Sequence, residues 1–127
     1  MADGYLRENA AKLNLDMDKV AIMGGSAGGM AGFFAIADWE DQYRAFVILW
    51  GAPPQVPDLC KVPPTLSVHG TADKAVSYEW ELPVQQRLEE LHISHELITL
   101  EGSGHTPLDH MDEFLPQAMK LLDEHLH

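Results

Sequence analysis

Val20–Gly29, VAIMGGSAGG, decides how this chain is read. Four apolar residues, Val20 to Met23, run into Gly24-Gly25-Ser26-Ala27-Gly28, and a small-residue, apolar segment follows. An apolar strand that turns sharply into a helix puts the residue at its tip on strained backbone. Glycines two places either side, Gly24 and Gly28, let strand and helix approach closely, and Gly25 completes the elbow. The Ser26 hydroxyl is then held clear of the sheet, beside the unpaired N–H groups of a helix start. The spacing Gly-x-Ser-x-Gly between strand and helix is the one that presents a serine nucleophile. By itself the pentapeptide also fits a phosphate-cradling loop or a plain tight turn. No Gly-Lys-Ser/Thr follows it, and Gly-x-Gly-x-x-Gly is met only with Ser26 in place of the middle glycine.

Working outward, Gly28–Ala37 (GGMAGFFAIA) is apolar all round and reads as a buried helix. Ala45–Trp50 (AFVILW) is a second wholly apolar strand, while Thr65–His69 (TLSVH) reads as a third, short strand and Ser94–Leu100 (SHELITL) as a fourth. The strand Val20–Met23 is apolar at every position, which marks a central parallel strand buried on both faces. A loop with five prolines runs from Gly51 to Pro64. A helix is expected from Pro83, with Val84, Leu88 and Leu91 on one face and Gln85, Arg87, Glu89 and Glu90 opposite. Proline is tolerated in a first turn, which sets that start. Residues 3–13 read as one short amphipathic helix. The tail from about Asp112 reads as another, striped by Phe114, Ala118, Leu121 and Leu122. Strands alternating with helices give an α/β class: a parallel sheet of about four strands with flanking helices, in a single domain over residues 1–127.

The composition narrows the partners. At 127 residues, 46% apolar, the chain can bury a real core. A formal charge of −12 argues against nucleic acid or an anionic membrane as partner. The single cysteine, Cys60, rules out an internal disulfide framework. No apolar run reaches the length of a membrane span, and the N-terminus lacks a signal-peptide core. The expected location is cytoplasmic, with secretion open if an upstream segment precedes Met1.

Functional groups collect at the carboxyl ends of parallel strands. Three such ends carry polar groups that suit one another: Ser26 after the first strand, Asp73 after the third and His105 after the fourth. A serine hydroxyl is a poor nucleophile at neutral pH, so His105 takes its proton during attack and returns it to the leaving group. Asp73 fixes the ring tautomer, and the Ala27 N–H supplies one hydrogen bond to an oxyanion. Glycines flank His105 and free its loop to present the imidazole. The remaining histidines, His69, His92, His95, His110, His125 and His127, are expected as surface or packing residues. Metal is a poor competitor, since no cysteine pair exists and His105 and His110 lack helical ligand spacing. No cofactor is expected.

These motifs resemble the α/β-hydrolase superfamily in its esterase/lipase branch. VAIMGGSAGG is similar to the elbow of acetyl-esterase-like and feruloyl-esterase-like enzymes, Val68–Val76 (VHGTADKAV) to their acid loop, and Gly102–Pro107 (GSGHTP) to their histidine loop. The order Ser, Asp, His is also theirs. By that resemblance nucleophile, acid and base fall on Ser26, Asp73 and His105, and a small carboxylic ester is the implied substrate. The likeness covers only the second half of the family's sheet, and nothing in residues 1–19 resembles the loop that supplies the second oxyanion donor. A catalytically weak or inactive remnant that serves as a binding or assembly domain is therefore the alternative. The strand Val20–Met23 would lose a neighbour, and an open apolar edge invites a second copy of the chain. A homodimer through that edge is expected.

Overall fold

The computed structural model describes residues 2–39 and 41–127. Its strands are β1 (Ile22–Gly25), β2 (Phe46–Leu49), β3 (Thr65–Gly70) and β4 (His95–Leu100). Its helices are α1 (Ala2–Glu8), α2 (Ala10–Leu13), α3 (Ala27–Asp38), α4 (Glu81–Glu90) and α5 (Met111–Leu126). The strands pair in the order β1-β2-β3-β4, and every pairing is parallel.

Alternation along β2 divides the core in two. Phe46 and Ile48 join Phe33 and Ile36 of α3 and Val84 and Leu88 of α4. Val47 joins Leu66 and Val68 of β3, with Phe114 and Ala118 of α5. Helices thus cover both faces of the central strands, the arrangement that wholly parallel sheets require. The loop between β2 and β3 has no regular element but is anchored. Leu59 and Val62 are buried in the α4-side core, and Arg87 donates to the Leu59 carbonyl at 2.7 Å.

Several local expectations are corrected. Residues 3–13 form two helices, because Asn9 leaves helical geometry between them and its side-chain amide donates to the Tyr5 carbonyl. Helix α4 starts at Glu81, after a 3-10 turn at Tyr78–Trp80, so Pro83 is its third residue. The first four helical N–H groups have no intrahelical acceptor, so a proline there breaks nothing. Gln85 does not face away from the sheet. Its Nε2 donates to Ser67 Oγ on β3 at 3.2 Å. It can do so because Thr65, Ser67 and His69 alternate with Leu66 and Val68 along a strand buried throughout, which puts a polar layer on the α4 side.

β1 stands at the open edge expected of a half-sheet and is not buried on both faces. Its sequence suits an interior strand, yet β2 is its sole neighbour among the described residues. Met23 pairs with Val47, on the face that α5 covers over β3, and is 45% exposed. The Ile22 and Ser26 N–H groups donate to the carbonyls of Ala45, just before β2, and of Leu49 at its end. By alternation, the N–H and C=O groups of Met23 point the other way, off the sheet edge.

Candidate active site

The site is built at the carboxyl ends of β1, β3 and β4. At the first, Ser26 joins β1 to α3 with φ 52° and ψ −123°, a conformation rarely held by a residue with a Cβ. Trp50 at the end of β2 and Thr106 beside His105 also have positive φ, so backbone strain gathers around this end of the sheet. Gly24 is the close approach that the elbow requires, because a side chain there would run into the backbone of Gly28 and Gly29. Gly28 is not, since a Cβ there would enter open space, and the expectation of two essential flanking glycines is corrected. Gly25 backs onto the Trp50 indole. Ala27 opens α3, so its N–H has no intrahelical acceptor and belongs to the helix end beside Ser26.

The loops after β3 and β4 are stitched together. The Ala72 N–H donates to the Ser103 carbonyl at 2.9 Å, and the Gly102 N–H to Thr71 Oγ1 at 2.8 Å. Gly70 makes this possible, because its missing side chain leaves room for the Ser103 carbonyl against β3. Asp73 Oδ1 accepts from the backbone N–H groups of Ala75 and Val76, which fixes the carboxylate plane. Its other oxygen, Oδ2, accepts from His105 Nδ1 at 2.7 Å. His105 Nε2 lies 3.0 Å from Ser26 Oγ. A carboxylate only accepts, so the proton sits on Nδ1 and the neutral ring takes the Ser26 hydroxyl proton bond at Nε2. The Asp73 side chain is fully buried, while that of His105 is 26% exposed.

The structure thus brings Ser26, Asp73 and His105 together, with Ala27 beside them. Burial alone would raise the Asp73 pKa. The bonds from His105, Val76 and Ala75 and the charge of His105 outweigh it and hold the carboxyl below its ordinary value.

One neighbour was missed. His69, expected as a surface or packing residue, is fully buried directly behind Asp73. Its Nε2 donates to the Val76 carbonyl at 2.8 Å and lies 3.2 Å from Asp73 Oδ2. Its Nδ1 meets Glu81 Oε1 at 2.9 Å, and Glu81 is itself fully buried. Burial would lower the His69 pKa, but the bonds to Glu81 and Val76 and the charges of Glu81 and Asp73 raise it above its ordinary value. The signal was present in β3, where polar residues at alternate positions of an interior strand must find buried partners.

Comparison with known proteins assigns the family. The family model described as phospholipase/carboxylesterase matches residues 4–126. The chain belongs to this family. Its fold is a partial α/β-hydrolase fold, seen in solved structures of low sequence identity. Esterase PE8 superposes with a TM-score of 0.77 at 23% identity, covering 94% of this chain and 58% of its own. An α/β-hydrolase, MGS-M1, from a Medee basin deep-sea metagenome library gives 0.82 at 21%, covering 98% and 62%. A truncated carbohydrate esterase from gut microbiota gives 0.85 at 18%, covering 98% and 65%. The chain therefore spans less than two thirds of the length of these relatives. No functionally curated protein matches it.

Proposed function

We propose that this family member is a serine hydrolase for small carboxylic esters, with Ser26 as nucleophile, His105 as general base and acid, and Asp73 as the group that orients His105. The observation that carries the reading is the unbroken chain of bonds from Ser26 Oγ through His105 to Asp73, at 3.0 and 2.7 Å. Ser26 Oγ attacks the ester carbonyl carbon as its proton passes to His105 Nε2. The negative charge that develops on the carbonyl oxygen is met by the Ala27 N–H. Collapse breaks the bond to the alkoxide, which leaves with the proton from Nε2, and an acyl group remains on Ser26. Water, deprotonated by the same nitrogen, releases the acid and restores the hydroxyl.

A second reading starts from the oxyanion side of the site. Ala27 supplies one oxyanion donor, and loss of one donor costs about 10²–10³ in kcat. A weak or silent centre in a binding or assembly domain is the form that reading takes.

One experiment separates them. The first reading expects labelling of the protein by a fluorophosphonate and loss of that labelling in Ser26→Ala, with p-nitrophenyl acetate hydrolysed faster than a peptide anilide. Absence of labelling in the folded wild-type protein overturns it and leaves the second.

A further inference from the structure

Behind the carboxylate of the proposed triad lies a buried pair, His69 and Glu81, that the ester chemistry above does not use. We propose that His69, held as an imidazolium by Glu81, is a positioning residue that presents a cation to Asp73 Oδ2 and so limits how strongly Asp73 stabilises protonated His105. The inference rests on the triad reading and adds a control on the pH at which that triad works.

The proton positions follow from the acceptors. Both groups facing His69 Nε2, the Val76 carbonyl and Asp73 Oδ2, can only accept from it, so Nε2 carries a proton. At Nδ1 one proton is shared with Glu81 Oε1 over 2.9 Å. Glu81 Oε2 takes a second donor, Gln85 Nε2, at 3.2 Å. With that proton on His69, each Glu81 oxygen accepts from one donor, and the facing carboxylate favours the charged form of the ring. Asp73, on the other side of the ring, favours the same distribution. The Tyr78 ring stands edge-on at 5.8 Å, with its hydroxyl turned to Thr99 Oγ1 on β4. The titratable groups facing His69 are thus Asp73 from the β3 loop, Glu81 from α4 and Tyr78 from the 3-10 turn, with His105 beyond Asp73.

The geometry couples the pair to the proposed base. Asp73 Oδ2 receives His105 Nδ1 at 2.7 Å and stands 3.2 Å from His69 Nε2. Two nitrogens compete for one oxygen. A full charge on His69 offsets part of the negative charge that would otherwise stabilise the His105 imidazolium, which keeps His105 available as a base at lower pH. Glu81 acts one step further back, by keeping His69 charged.

The test uses the whole chain and two conservative variants. His69→Gln keeps an N–H near Nε2 without charge, and Glu81→Gln leaves the His69 ring neutral. Both are expected to move the acid limb of the fluorophosphonate labelling rate upward by about one pH unit. The His105 ring resonances, followed by ¹⁵N NMR, should move by the same amount. In the wild-type protein, both His69 ring nitrogens should still carry protons above the ordinary imidazole midpoint of 6.5, a readout that survives if a variant fails to fold. Wild-type midpoints in both folded variants, or a neutral His69 ring in the wild-type protein, overturn the inference and leave the triad reading intact. A wild-type protein that is never labelled, yet whose His105 resonance moves in both variants, removes the nucleophile reading and upholds the coupling.

Discussion

Gly24 and Gly28 flank Ser26 symmetrically in sequence and unequally in space. A methyl carbon on Gly24 would fall 2.5 Å from the Gly28 carbonyl carbon, whereas one on Gly28 meets nothing within 4 Å. The obstacle at Gly24 is backbone, which cannot swing aside. Gly24→Ala is therefore expected to destabilise the fold by at least the ~1–3 kcal/mol of ordinary overpacking. Gly28→Ala, in the first turn of α3, should be neutral or stabilising by up to ~1 kcal/mol, since alanine has less freedom to lose. Urea denaturation of the two variants measures the difference, and equal losses would contradict it.

The same contrast shows where the sequence was legible. Two wholly apolar runs, Val20–Met23 and Ala45–Trp50, and two mixed ones after them alternate with helical patterns and give the parallel sheet and its layers. Ser26, Asp73 and His105 were readable because each follows a strand whose end is marked by glycine or a turn. What escaped depends on contacts between distant segments. That Gly24 is crowded and Gly28 open follows from the angle between β1 and α3, which no local pattern records. His69 and Glu81 meet because α4 crosses β3 at one height, with Gln85 turned to Ser67 one helical turn on. Helical periodicity puts Gln85 opposite the apolar stripe, but the strand facing α4 carries polar residues and Gln85 turns to one of them.

Replacement of Asp73 tests the orienting role. In Asp73→Asn the carbonyl oxygen can keep the Ala75 and Val76 N–H groups, leaving an amide donor toward His105 Nδ1. Two donors cannot share that bond, so the ring proton shifts to Nε2, which then cannot accept from Ser26. Fluorophosphonate labelling should fall about 10⁴-fold while the fold persists. Labelling within a few-fold of wild type would show that Asp73 does not set the tautomer.

Stability should depend on pH from both sides. Asp73 titrates below its ordinary 3.8 in the folded chain, so its contribution is present above that value and lost as pH falls through the lowered one. His69 titrates above its ordinary 6.5, so its contribution is complete below 6.5 and lost as pH rises through the raised one. The two overlap between about pH 4 and about pH 6.5. The melting temperature is expected to peak in that interval and fall on either side. Thermal melts across the range check this, and His69→Gln should flatten the alkaline decline. A melting temperature that climbs steadily above pH 6.5 would contradict the charge assigned to His69.

The open edge of β1 supports our proposal of a homodimer, in which two copies of the strand pair antiparallel across a two-fold axis and join their sheets. Just before that strand, Val20 and Ala21 line a groove with Leu6, Leu15, Met17, Asn14, Asp16 and Lys19, and Met23 is 45% exposed. Two such chains, each at −12, repel one another. Association should therefore strengthen as salt is added and shortens the reach of that repulsion from about 10 Å at 0.1 M. Size-exclusion chromatography with light scattering is expected to give a dimer at micromolar concentration. Met23→Lys should return it to a monomer with little loss of fold, since a lysine on an edge strand discourages further pairing. A wild-type monomer at micromolar concentration, at low and high salt alike, would remove the second copy as the occupant of that edge.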